Sequence, residues 1–92
     1  MIRTFRHRGL EKFFLSGSKT GIQPAHATRL RLQLTTLHLA SRAEDMNRRG
    51  WKFHSLNGEL KDHYAVSVSG NWRMTFRFEG ENAILVDYQD YH

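Results

Sequence analysis

Five residues spread over the chain could together break a phosphodiester bond: His54, Arg73 and the closing run of Asp90, Tyr91 and His92. An imidazole titrates near ~6.5 and can take or give a proton at neutral pH. A guanidinium is always charged and forks onto phosphate oxygens. RNA cleavage uses these parts without metal or cysteine. One group accepts the ribose 2′-OH proton as that oxygen attacks phosphorus, another protonates the leaving 5′ oxygen, and a cation steadies the phosphoryl oxygens. As the last residue, His92 has its own α-carboxylate within reach of its ring, which is expected to favour the imidazolium.

Each residue also has a plainer reading. A lone His on an exposed strand is usually a solvated His, and arginines alternating with apolar residues suit any wet sheet face. Trp51 and Trp72 read first as packing aromatics. No two of the six histidines are spaced i, i+4, so no helical zinc site is expected, and no cofactor.

These residues must be positioned by elements that change period midway along the chain. Met1 to Phe5 can form a short strand. From His7, Leu10, Phe13 and Phe14 share one helical face, and Gly17 is placed to end that helix. The glycine- and serine-rich stretch SGSKTGIQ reads as a loop; it lacks the glycine spacing of a phosphate loop. Pro24 suits a first helical turn. Ala27, Leu30, Leu34 and Leu37 then form an apolar stripe, widened by Leu32 and Leu39, with Arg29, Arg31, Gln33 and Thr36 mostly elsewhere, on a helix ending near Ala40.

The second half has period 2. WKFHSL (51–56), HYAVSVS (63–69) and WRMTFRF (72–78) alternate, and Gly70-Asn71 and Gly80 mark hairpin turns. The expected fold is α+β: two N-terminal helices packed on one face of a small antiparallel sheet, in one domain over 1–92. Alternation places His54, Arg73 and Arg77 on the face away from the helices. Pairing through the Gly80 turn would set Ala83 against Phe78 and Tyr88 against Arg73, bringing Asp90, Tyr91 and His92 to one edge of that face.

Composition narrows the partners. Ninety-two residues with 39% hydrophobic and 12% aromatic content make a folded globule. The chain has no cysteine and no apolar run near the ~20 residues of a membrane span, and it opens without a secretory leader, so a cytoplasmic protein is expected. The net charge is +5, and ten of the fourteen basic residues are arginine. Nucleic acid or an acidic protein is the expected partner.

Five stretches resemble one family: TFRHRGLEKFF, GIQPAHATRLRLQLTTL, WKFHSLNGEL, VSGNWRMTFRF and the closing DYH. Together, over nearly the whole chain, they are similar to the HigB toxins of the RelE/ParE superfamily. That resemblance implies a RelE-like microbial RNase-type fold and a ribosome-dependent mRNA endonuclease that cuts translated messages in the ribosomal A site. It also implies a cognate helix-turn-helix antitoxin, HigA, and contact with operator DNA only through the antitoxin complex. Carried over by position, the family's catalytic residues are His54, Arg73, Asp90, Tyr91 and His92. Arg48, Arg49, Lys52, Asn57, Lys61 and Arg77 are candidates for contacts to RNA and ribosome. Asn57 stands where relatives often have lysine, so the missing positive charge would shift to Lys52, Lys61 or Arg48. A non-enzymatic inhibitory binder, as in the gyrase-inhibiting ParE branch, is the alternative, and a nucleic-acid-binding module acting only within an antitoxin complex is a third reading.

Overall fold

A computed structural model describes residues 1–90; Tyr91 and His92 lie outside the described residues. Helix α1 runs from Arg8 to Ser16. His7 caps it, its Nδ1 accepting the Leu10 N–H at 2.9 Å. Gly17 ends it in a left-handed conformation (φ +78°), donating its N–H to the Phe13 carbonyl. Pro24–His26 forms a 3₁₀ turn that leads into helix α2, Ala27–Leu39.

The stripe on α2 differs from the expected one in both directions. Ala27, Leu30, Leu34 and Leu37 are buried, but Leu32 and Leu39 are 56% and 79% exposed. At 3.6 residues per turn those two fall roughly opposite Leu30, whereas Gln33 falls inside the buried arc. Gln33 is fully buried. Counting apolar residues widened the stripe; the helical angle narrows it and admits a polar residue.

Four antiparallel strands form one sheet in the order β1-β2-β3-β4: His54–Ser55, His63–Ser69, Trp72–Glu79 and Asn82–Asp90. The extended run expected at 51–56 survives only as His54–Ser55, because Lys52 takes a left-handed φ of +52° that interrupts the extended backbone there. The first strand expected at Met1–Phe5 is reduced to two isolated parallel bridges, Ile2 to Ala83 and Phe5 to Val86. Four hydrogen bonds of 2.8–3.1 Å still join residues 1–6 to Ala83 and Val86, and the Thr4 hydroxyl accepts the Leu85 N–H at 2.8 Å.

The β3–β4 register is the expected one near the turn, with Phe78 opposite Ala83, and then slips by one. Leu85 and Val86 both stand against Phe76, and Leu85 adopts φ +55°. This is a β-bulge, and it exchanges the two faces of the strand beyond it. Gln89, not Tyr88, therefore lies opposite Arg73, and Tyr88 lies opposite Met74.

Tyr88 is consequently buried on the helix side. Its ring stacks on Trp72 with centroids 4.6 Å apart, and its hydroxyl bonds His26 Nδ1 at 2.6 Å. Burial pushes the phenol above its usual pKa of 10.0, only partly opposed by the Gln23 N–H. The unfolded chain loses this proton near pH 10 while the folded chain keeps it, so stability must fall as pH rises past 10. Melting temperatures recorded upward from pH 9.5 are expected to fall less steeply for Tyr88→Phe than for the wild type.

Helices and sheet meet in a core containing Leu10, Leu30, Leu37, Met74 and Phe76, all fully buried. Gly9 and Gly21 touch backbone to backbone: a Cβ built on Gly21 would lie 2.4 Å from Gly9 Cα. Neither backbone can yield as a flexible side chain would. Gly21→Ala is expected to cost about 1–3 kcal/mol, read by calorimetry as a lower melting temperature. No helix among the described residues is long and apolar enough to cross a membrane.

Candidate active site

Where β1 ends and the β2–β3 turn closes, the sheet opens into a cleft of about 410 Å³. Lys52, His54 and Asn57 line one side; Ser67, Asn71 and Arg73 line the other. The residues alone suggested a basic concave surface but no pocket that could align a substrate, so the cleft is an addition. It lies where the regular β1–β2 ladder stops at Ala65, β1 being two residues long.

The register places the two groups most suited to phosphodiester chemistry on one face. His54 pairs with Ala65, Ala65 with Thr75, and in the next row Ser67 pairs with Arg73 and Arg73 with Gln89. His54 and Arg73 thus stand two strands apart and two residues offset, about 12 Å by the usual strand spacing and rise. A phosphate and its ribose fit between them. The face is not uniformly open: Ala65 and Thr75, at its centre, are buried.

His54 is exposed and its ring is oriented. Nδ1 lies 2.8 Å from the Lys52 carbonyl oxygen. A carbonyl can only accept, so Nδ1 carries the hydrogen and the neutral ring keeps its lone pair on Nε2. The left-handed Lys52 makes this contact possible by turning its carbonyl back towards the ring two residues on. Such a conformation costs of order 1 kcal/mol at a residue with a Cβ. Strain of this kind concentrates at functional sites.

The other expected site residues are scattered. Asp90 pairs with Trp72, so the bulge directs it to the Trp72 and Tyr88 side of β4, away from the face that carries Arg73. Tyr91 and His92 lie outside the described residues. Lys52 and Asn57 share the cleft with His54, so of the cations expected to replace a lysine at Asn57, Lys52 is the one among its lining residues. Arg48 lines a separate hollow with Leu39 and Ala40 at the end of α2, and its Nε donates to the Asp45 carbonyl at 3.3 Å. Lys61 is exposed where the chain enters β2, its carbonyl accepting the His63 Nδ1–H at 3.2 Å. Arg77 is exposed four residues along β3 from Arg73, about 13 Å away by strand rise. Arg49 is exposed in the loop before Trp51.

Trp72 is committed to Tyr88 and, edge-on, to His26, and Trp51 is buried, which agrees with reading both as packing aromatics. Gln89 escaped notice because locating it required the bulge. Ser67 and Asn71 carry no signal in the sequence beyond their place beside a turn.

Helices on one face of a four-stranded antiparallel sheet, with a basic cleft at its end, define a small α+β protein of the RelE-like type. Residues 3–92 match the model of a family described as RelE-like toxins of the type II toxin–antitoxin system HigB, and the chain belongs to that HigB-like toxin family. Over 92 residues, the whole of both chains, it is 33% identical to the Endoribonuclease HigB of Proteus vulgaris.

Proposed function

We propose that this toxin is a ribosome-dependent endoribonuclease that cuts translated mRNA in the ribosomal A site. The observation that carries the reading is the joint presence of His54 and Arg73 in one cleft, with His54 Nδ1–H held by the Lys52 carbonyl. His54 Nε2 accepts the 2′-OH proton; the freed oxygen bonds to phosphorus, and the bond from phosphorus to the 5′ oxygen breaks. His92 gives a proton to that leaving oxygen. The products are a 2′,3′-cyclic phosphate and a 5′-OH. Arg73 steadies the charge on the phosphoryl oxygens. Tyr91 stacks on or orients a base, and Asp90 partners a neighbouring cation or imidazole. Arg48, Arg49, Lys61 and Arg77, lying outside the cleft, contact ribosomal RNA, while Lys52 supplies the positive charge that Asn57 lacks.

The toxin acts in the cytoplasm, where its substrate is being translated. HigA, a helix-turn-helix antitoxin, neutralises it, and operator DNA is bound only through the pair. The ribosome supplies the in-line alignment of 2′-OH and phosphorus, a contribution worth ~7–11 kcal/mol when fully realised. Primer-extension mapping of mRNA 5′ ends after brief induction tests this: new ends within translated codons are expected. Arrested growth with intact messages and stalled replication would assign the chain to the gyrase-inhibiting branch instead.

A further inference from the structure

Beyond the end of β1, the exposed edge of β2 is completed by helix α2. The Ser67 N–H donates to the Trp51 carbonyl at 2.7 Å. On the same edge the Ser67 carbonyl accepts Gln33 Nε2 at 2.8 Å and Arg29 Nη2 at 3.3 Å. The same Arg29 nitrogen lies 2.9 Å from the Gly50 carbonyl. One turn of α2 thus holds two backbone segments together: 50–51, which leads into the left-handed Lys52, and Ser67, which faces Arg73 across the β2–β3 pair.

We propose that Arg29 and Gln33 are positioning residues that act through this clamp on His54. By fixing Gly50 and Trp51 against Ser67 they hold Lys52 in its left-handed conformation, and with it the carbonyl that keeps the hydrogen on His54 Nδ1. The proposal rests on reading His54 as the proton acceptor. Two observations favour a positioning role over packing or RNA contact. Gln33 is fully buried, and its Oε1, like Arg29 Nε, is buried with no hydrogen-bond partner among the described residues. A leucine would fill that position without burying an unsatisfied oxygen, so stability alone does not select glutamine. Arg29 Nη2 is engaged by the two carbonyls of Gly50 and Ser67, and its Nε is buried, so three of its five N–H groups point into the protein.

The test joins two measurements on the whole chain. Nitrogen-15 NMR of the imidazoles reports the His54 tautomer without substrate, and single-turnover cleavage on programmed ribosomes reports rate and affinity separately. In Arg29→Met the preference for Nδ1–H at His54 is expected to be lost. The rate at saturating ribosomes should drop towards the ~10²-fold that a misplacement of about 1 Å can cost, with ribosome affinity unchanged. Arg29→Lys, which can still reach one carbonyl, should recover part of both. Should Arg29→Met not fold, Arg29→Lys and Gln33→Leu are read in the same way. An unchanged His54 tautomer in these variants overturns the proposal, even if cleavage falls, because Arg29 would then act by packing or by touching RNA. A tautomer that shifts in a protein whose wild type cuts no RNA supports the clamp and refutes the nuclease reading.

Discussion

His54→Gln is expected to reduce single-turnover cleavage of mRNA on programmed ribosomes by about 10²–10⁴-fold, the usual contribution of a positioned proton-transfer group. Glutamine preserves the size of the side chain and can still donate to the Lys52 carbonyl, but it cannot take up a proton. The residue is exposed, and among the described residues its side chain bonds only that carbonyl. Stability should therefore change by no more than about 0.5 kcal/mol, the range for surface substitutions. The same substitution at His92 separates the two imidazoles. If one accepts and the other donates, cleavage rate against pH is bell-shaped in the wild type, and each variant loses one limb. Wild-type cleavage by His54→Gln would remove His54 from the chemistry and leave the cleft a binding site.

Arg73→Ala is expected to lower the same rate by about 10²–10³-fold, the cost of deleting one preorganised group aimed at developing charge. Unlike the histidine substitution, it should also weaken ribosome binding. If Arg73 touches a phosphate, its removal lowers the slope of log affinity against log salt by roughly 0.7–0.9. Arg73→Lys keeps the charge but not the planar fork, so binding should be largely restored and rate only partly. Equal recovery of both would show that a point charge suffices there.

The helices, the three long strands and both hairpin turns were legible because period and turn chemistry are local properties of the residues. His54 and Arg73 were legible for the same reason, since alternation places both on one face. Three features were not. The bulge at Leu85 leaves no glycine behind to announce it, yet it exchanges the faces of everything beyond and moves Gln89 into the place assigned to Tyr88. Lys52 is equally silent, a left-handed residue in a stretch whose alternation reads as strand. Gln33 hides because a polar residue on an amphipathic helix reads as exposed, whereas its partner is a carbonyl more than thirty positions away.

The pairing of residues 1–6 with β4 has a consequence for how the chain is made. Synthesis delivers Ile2 first and its neighbour Ala83 some eighty residues later, so the first residues have nothing to pair with until almost all of the chain has been polymerised. The cleft is walled by β2 and β3, but β3 is left with an open edge until β4 arrives. Contacts so distant in sequence form late, after the entropy of closing a long loop has been overcome. The nascent chain thus cannot complete this fold until β4 has been made. Fragments released early lack the strand that completes the fold and would be material for proteases.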